Sequence, residues 1–169
     1  MIRVDVETIL MAGGPMPSVV VLRERQADES SETPSRSLSI QTGAFEAASI
    51  GRGIDVGRSE RPLTHDIMLD AIDALHARIE RVEITRVDAP TFYASIVIAG
   101  SDAEHALDAW PSDAIALAVR TNAPIYVEDD VMNRVGTVSA AGSDAGAENA
   151  EGELERFDRF VQTLSPDDF

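Results

Sequence analysis

The sequence predicts an α+β domain whose core is a mixed β-sheet. Some segments alternate apolar with polar residues, as strands with one solvated face do, and others carry apolar residues three and four positions apart, as amphipathic helices do. Each half of the chain also shows one order of elements, namely two strands, a short strand and a helix. Because one such unit cannot cover its own apolar sheet face, we expect two pseudo-repeats of strand-strand-strand-helix to share a core.

The first half begins with an alternating segment and a turn rich in glycine and proline. The predicted strands are residues 2–10, 18–23 and 38–41, with a solvated hairpin loop over residues 26–37. A helix is predicted from Gly43 to about Asp55, and its inner face is expected to include Phe45, Ala48 and Ile50.

The second half contains the segment with the clearest helical periodicity. Residues 64–78 are predicted to form a central helix whose buried stripe contains Ile67, Met68, Ala71, Ile72 and Leu75. Strands are predicted at residues 81–87, 91–99, 105–109 and 124–127, a helix from Ser112 that ends at Asn122, and one or two helical turns over residues 129–135.

The chain is expected to have three parts. Residues 1–136 form the domain, residues 137–152 are a flexible acidic linker rich in small residues, and residues 153–169 contain an amphipathic helix. The apolar face of this C-terminal helix consists of Leu154, Phe157, Phe160, Val161 and Leu164. Such a face must be covered by the domain or by a neighbouring subunit, so we expect a homo-oligomer.

Charge is the strongest compositional signal. Acidic residues number 30 against 14 basic residues, all of them arginine, which gives a net charge of -16. The absence of lysine beside this acidic excess is typical of salt-accumulating halophiles, where the Debye length falls to about 3 Å at 1 M salt. An acidic mesophilic protein is the alternative.

The chain has no cysteine, no apolar run long enough for a membrane span and no signal peptide at its start, so we expect a cytoplasmic protein without a membrane partner.

The negative charge bears directly on nucleic-acid binding, because lysine and arginine provide most of the affinity for the phosphate backbone. Four phosphate contacts lose roughly 10⁴ in affinity between ~0.15 and ~2 M salt. A halophilic enzyme therefore gains little from a basic surface, and acidity does not exclude a nucleic-acid partner.

Two short motifs place polar side chains where helices begin. The first is Arg61-Pro-Leu-Thr-His-Asp66, and the second is Trp110-Pro-Ser-Asp113. Free backbone N–H groups and the positive end of the helix dipole favour anions at such positions, and phosphate is the obvious candidate. Ordinary helix capping by Thr64 with Asp66, and by Ser112 with Asp113, is the structural alternative.

Four segments carry a resemblance to a known family, namely Arg61-Pro-Leu-Thr-His-Asp66, Thr91-Phe-Tyr-Ala94, Pro111-Ser-Asp-Ala-Ile-Ala-Leu-Ala118 and Ala123-Pro-Ile-Tyr-Val127. Over roughly residues 2–136 the chain resembles the bifunctional nuclease domain family, formerly a domain of unknown function. The resemblance implies a nuclease that acts on DNA and RNA. It departs from the family pattern at Trp110, where the family usually has an arginine just before Pro-Ser-Asp. An aromatic ring there replaces a cation that could contact phosphate.

Phosphodiester hydrolysis needs an activated water and neutralisation of phosphate charge, and it usually uses a divalent ion held by hard oxygen ligands. Histidine titrates near neutral pH, which suits a general base. We therefore assign catalytic roles to His65, Asp66, Asp108 and Asp113, substrate binding to Arg61, Thr64 and Ser112, and a supporting role to Glu46. Asp66 and Asp113 are the candidate ligands for Mg²⁺ or Mn²⁺, and no organic cofactor is expected.

Each of these residues also has a structural interpretation. His65 can be a hydrogen-bonding residue, Arg61 can pair with Glu46 or Asp113, and Trp110 can belong to the core, to an interface or to a base-stacking site. The alternative function is therefore a non-enzymatic, oligomeric binding or regulatory module, and binding of a small ligand at the helix starts is a third possibility.

Overall fold

The structure is a computed structural model that describes residues 1–13, 16–26, 35–55 and 61–138. These ranges contain eight strands and four helices. In chain order they are β1 (Ile2–Leu10), β2 (Ser18–Glu24), β3 (Arg36–Thr42), α1 (Ala44–Ile54), α2 (Thr64–Ala74), β4 (Arg78–Asp88), β5 (Thr91–Ala99), β6 (Glu104–Ala109), α3 (Pro111–Thr121), β7 (Ile125–Val127), α4 (Asp129–Val135) and β8 (Thr137–Val138).

All eight strands belong to one mixed sheet, in the order β6-β5-β4-β7-β1-β2-β3-β8. Neighbouring strands are antiparallel except β4 and β7, which are parallel. The short strand β7 separates two three-stranded meanders, and its Ile125 lies opposite Val4 of β1 on one side and Val82 of β4 on the other. The α+β class and the mixed sheet are therefore confirmed, while a duplication of the two halves stays a prediction.

The core lies where α3 packs on β4 and β5 and where α1 packs on β2 and on α3. Every residue from Ala114 to Ala118 is buried, as expected for a helix that is apolar on all sides. Gly53 of α1 is in close contact with α3, because a Cβ at this position would lie 2.6 Å from Val119 Cγ2 and 2.8 Å from Arg120 Nη1. A glycine is needed there for the two helices to approach one another.

A helix is confirmed at residues 64–74, but the prediction that it is central and buried and continues to residue 78 is wrong. Helix α2 ends at Ala74, and none of its residues is fully buried. Its inner side contacts the core only through the partly buried Leu69 and Ile72, whereas Ile67 is 56% exposed and Leu75, just after the helix, is 79% exposed. The helix has two apolar sides, and periodicity alone does not tell which of them the protein covers.

Two smaller expectations also differ from the structure. Phe45, assigned to the inner face of α1, is 90% exposed, and Ala47 and Ile50 are the buried residues of that helix. Thr137 and Val138, which were expected to begin the flexible linker, pair with β3 as strand β8. The C-terminal helix at residues 153–169, most of the linker and most of the loop at residues 26–37 lie outside the described residues.

The remaining elements agree with the sequence-based assignment to within a few residues, and Asn122 ends α3 in the left-handed conformation. No helix within the described ranges is long and apolar enough to cross a membrane.

Candidate functional site

Three helices contribute to one chain of hydrogen bonds around His65. Its Nδ1 lies 2.9 Å from Ser49 Oγ of α1, and its Nε2 lies 3.2 Å from Asp113 Oδ1 of α3. The imidazole is only 15% exposed, whereas the Asp113 side chain is 47% exposed. Both ring nitrogens are therefore held, and of the two side chains the carboxylate is the one that solvent reaches more readily.

A second pair lies beside this chain. Arg120 Nε donates to Asp66 Oδ1 at 3.0 Å, and the two side chains are 8% and 18% exposed. Asp66 Oδ2 accepts the backbone N–H of Leu63 at 2.8 Å, and Arg120 Nη1 donates to the Ala116 carbonyl oxygen at 2.7 Å. The Asp66–Arg120 pair thus fixes the start of α2 against the C-terminal half of α3.

Ser49 joins the two groups, because Arg120 Nη2 also lies 3.4 Å from its Oγ. Guanidinium groups only donate hydrogen bonds and carboxylates only accept them. One assignment of protons satisfies every partner: Arg120 donates to Ser49, Ser49 donates to His65 Nδ1, and His65 Nε2–H donates to Asp113. This series of hydrogen bonds begins at the Arg120 guanidinium, which is shielded from solvent, and ends at the Asp113 carboxylate, which is about half exposed.

Asp113 also lines a cleft of about 420 Å³, which we call the α1–α3 cleft. The N-termini of both helices border it, with Gly43 and Glu46 from α1 and Pro111, Ser112 and Asp113 from α3. Its other lining residues are Ile40, Gln41, Thr42, Pro90, Thr91, Phe92 and Trp110. Neither N-cap residue provides a side-chain cap, but the Glu46 carboxylate lies close to Gly43 at the start of α1, and α3 begins with Pro111, which has no N–H. The first-turn N–H groups of α3 at the cleft are therefore those of Ser112 and Asp113.

Helix capping by Thr64 and Ser112, the structural alternative for these residues, is not formed. The N-cap positions are Leu63 and Trp110, and neither makes a side-chain cap hydrogen bond. Thr64 and Ser112 lie inside the first turns, and at the start of α2 the Asp66 carboxylate accepts the Leu63 N–H instead.

The structure brings together only some of the sequence-predicted site residues. His65, Asp66 and Asp113 belong to the connected network, and Ser112 and Glu46 line the α1–α3 cleft. Asp108 is exposed on β6 opposite Ser95, and no hydrogen bond or ion pair joins it to another described residue.

The two candidate substrate-binding residues at the start of α2 are both exposed. Arg61 pairs with neither Glu46 nor Asp113 among the described residues, which leaves its guanidinium without the structural role considered for it. Thr64 lies in the first turn of α2 and does not line the α1–α3 cleft.

The expected metal ligands do not form a metal-binding group. Within the ranges that the structure describes, no three His, Cys, Asp or Glu side chains converge well enough to hold an ion. Asp66 is committed to Arg120 through one oxygen and to the Leu63 N–H through the other. The pair Asp66 and Asp113 therefore does not fit a metal held by the protein alone.

Two residues of the network, Ser49 and Arg120, were not among the site residues predicted from the sequence. Ser49 lies in the middle of α1 beside the apolar residues Ala48 and Ile50, and Arg120 is the single cation of α3. A polar residue within a buried helix must find a partner, and this was the available signal. The partners themselves are 54 and 71 positions away in the chain and could not be identified by spacing.

Fold and site together define an α+β domain with a polar network on three helices beside a cleft at two helix starts. Comparison with known proteins gives the family: residues 20–140 match the bifunctional nuclease domain, and the chain belongs to that family. Two relatives from Mycobacterium tuberculosis, the uncharacterized protein MT1877 of strain CDC 1551 / Oshkosh and the uncharacterized protein Rv1829 of strain ATCC 25618 / H37Rv, are each 38% identical over 153 residues. Each alignment covers 89% of this chain and 87% of the relative.

Proposed function

We propose that the protein is a nuclease that hydrolyses phosphodiester bonds of DNA or RNA in the α1–α3 cleft. The observation that carries the proposal is the position of Asp113, which lines the cleft and accepts a hydrogen bond from a largely shielded histidine. Membership of the bifunctional nuclease domain family supports the class of reaction.

The two helix starts suit the phosphate group. First-turn N–H groups of α1 and α3, those of Ser112 and Asp113 among them, border the cleft, and their partial positive charge offsets part of the charge that grows on the phosphate oxygens during attack. The carboxylates of Glu46 and Asp113 oppose binding of the anion, so the phosphate must lie nearer the backbone groups than the carboxylates.

Asp113 is the general base of the proposed reaction, and His65 positions it. A water between Asp113 and the phosphorus atom gives up a proton to the carboxylate as its oxygen attacks, the bond from phosphorus to the leaving oxygen breaks, and the leaving oxygen takes a proton from solvent. His65 is a positioning residue in this scheme, because its Nε2–H orients Asp113 while Ser49 fixes the ring from the other side.

The test is digestion of single-stranded and duplex DNA and of RNA in molar KCl, with Mg²⁺ or Mn²⁺ and with EDTA in parallel. General acid–base catalysis contributes roughly 10²–10⁴-fold, so we expect Asp113→Asn and His65→Ala to lose at least about 100-fold in rate. Asp102→Asn is the matched control, because Asp102 is exposed in the β5–β6 turn. Equal activity in wild type and both site variants would show a contaminating nuclease and would overturn the proposal.

A second candidate function, an oligomeric binding or regulatory module, is favoured by the outward side of α2. Ile67, Met68, Ala71 and Leu75 form this surface, which we call the outer face of α2, and all four side chains are exposed. Contiguous exposed apolar side chains mark interaction surfaces more often than isolated ones do. Assembly through this face is compatible with catalysis in the cleft.

A further inference from the structure

Trp110 is the only tryptophan of the chain, and its exposure to solvent is unusual for so large an apolar residue. It is 67% exposed although it is the largest apolar side chain available. Its backbone is fixed, because it directly follows β6, precedes Pro111 at the first position of α3, and accepts the Ala114 N–H at 3.0 Å. A solvent-exposed indole on a fixed backbone is suited to bind a flat partner.

The ring is also one wall of the α1–α3 cleft. Phe92 and Pro90, from β5 and from the turn before it, contribute further apolar surface to the same cleft. The uncapped helix starts at Gly43 and Ser112 contribute polar backbone groups. The cleft therefore combines an aromatic platform with an anion-compatible rim, and a nucleotide has these same two features in its flat base and its phosphate.

We propose that the α1–α3 cleft binds an unpaired nucleotide whose base stacks on Trp110 while its phosphate lies at the helix starts. This inference rests on the proposed nuclease function and specifies its substrate as single-stranded nucleic acid. A base within a duplex is stacked on both faces by its neighbours, so only an unpaired or displaced base can offer a face to the indole.

Charge favours stacking as the main source of affinity. The chain has a net charge of -16 and no lysine, and Glu46 and Asp113 lie in the cleft itself. Attraction to the phosphate backbone is therefore weak, and molar salt weakens it further. Burial of apolar surface does not depend on net charge, and excluded salts strengthen it. Stacking of a base on Trp110 is therefore the contribution to binding affinity that is retained both with a negatively charged chain and in molar salt.

The test uses the emission of Trp110, which reports on this position alone because no other tryptophan is present. A short oligothymidylate is titrated into the full chain in molar KCl with EDTA, beside an abasic oligomer of equal length and a duplex. We expect saturable quenching by the oligothymidylate, and at least tenfold weaker binding of the other two.

Variants complete the test by anisotropy of a labelled oligothymidylate. Loss of a base–aromatic stack weakens binding by roughly 5- to 150-fold, so we expect this range for Trp110→Ala and near wild-type affinity for Trp110→Phe. Leu107→Ala is the control, because Leu107 is an exposed apolar residue of the adjacent strand β6. His65→Ala, which lies outside the cleft lining, should bind like wild type even where hydrolysis is lost.

Several outcomes would overturn the inference. Equal affinity for the abasic oligomer and the oligothymidylate, or no effect of Trp110→Ala, would remove stacking while leaving hydrolysis intact. Emission that changes with protein concentration but not with oligonucleotide would show that a second copy of the chain covers Trp110. Binding that follows the expected pattern without any hydrolysis would support this inference and contradict the nuclease proposal.

Discussion

Arg120 Nε lies 3.0 Å from Asp66 Oδ1, and both side chains are largely shielded from water between α2 and α3. Removing one partner of a shielded pair leaves the other charge without compensation, which typically costs about 3–5 kcal/mol. We expect Asp66→Asn to lower the free energy of unfolding by about 3 kcal/mol, since it also weakens the hydrogen bond from the Leu63 N–H. Urea unfolding at constant KCl concentration measures the change.

Asp73→Asn is the matched control for this prediction, because Asp73 lies exposed near the end of the same helix. Exposed substitutions usually change stability by less than about 0.5 kcal/mol. If Asp66→Asn and Asp73→Asn unfold at the same urea concentration, the Asp66–Arg120 pair does not hold α2 on the domain.

Glu24 and Arg36 give the fold a defined response to acid. Arg36 donates to the Glu24 carboxylate through Nε at 2.9 Å and through Nη2 at 3.1 Å, and these hydrogen bonds hold the pKa of Glu24 below its ordinary value of 4.5. A carboxyl group whose pKa is lower in the folded state stabilises that state above its unfolded pKa, and the stabilisation is lost as pH falls through the folded value. The contribution should therefore be complete above about pH 4.5 and should disappear below it.

Comparison of wild type with Glu24→Gln isolates this contribution from that of the other carboxylates. We expect the variant to be less stable by on the order of 1 kcal/mol at neutral pH, with a difference that shrinks as the pH falls below about 4.5. Glu80→Gln is the control, because its partner Arg78 is highly exposed and such pairs contribute about 0–1 kcal/mol. A difference between wild type and Glu24→Gln that stays constant from pH 7 to acid would contradict the assignment.

The parts of the fold that the sequence predicted well are those in which one local pattern allows one outcome. Helix α3 is apolar on all sides between Ala114 and Ala118, so it had to be buried wherever it lay. The alternation along β5 predicts an inward face that includes Ala94 and Ile96, and both are buried, although Val97 on the opposite face is buried as well. For these elements the hydrophobic pattern determines both the secondary structure and the burial.

Helix α2 shows where this reasoning fails. Leu69 and Ile72 pack against the core, whereas Ile67 and Leu75 are more than half exposed, although Ile67, Ile72 and Leu75 belong to the predicted stripe and Leu69 does not. The side of α2 that faces the core is determined by contacts of polar residues, namely His65 with Asp113 and Asp66 with Arg120. Those contacts join positions 48 and 54 residues apart and are invisible in a local pattern.

The candidate site divides in the same way. Asp66 and Asp113 were found because helix starts have recognisable sequences, but the spacing could not tell that one is committed to an arginine while the other faces a cleft. Asp108 was selected as a carboxylate in the sequence segment that leads into the second motif. Trp110 lines the cleft just beyond the end of β6, whereas Asp108 lies two residues earlier on that exposed strand and does not line the cleft.

The outer face of α2 predicts how the chain assembles. Ile67, Ala71 and Leu75 follow one another at intervals of four residues, with the small side chain in the middle. Two copies of this stripe fit each other when the helices run antiparallel, with Ile67 of one copy against Leu75 of the other and the alanines at the crossing point. We therefore expect the wild-type protein to form dimers or larger assemblies through this face, as measured by light scattering in molar KCl.

Leu75→Glu should abolish this assembly. The substitution places a carboxylate of each copy in the apolar contact, where it would lose its hydration without gaining a partner of opposite charge. Since Leu75 is 79% exposed in the single chain, the variant should keep the thermal stability of the monomer. Leu107→Glu makes the same chemical change at an exposed position of β6 and should leave the assembly intact. A wild-type protein that is monomeric across the concentration range, or a Leu75→Glu variant that assembles as wild type does, would show that the outer face of α2 is not the contact between copies.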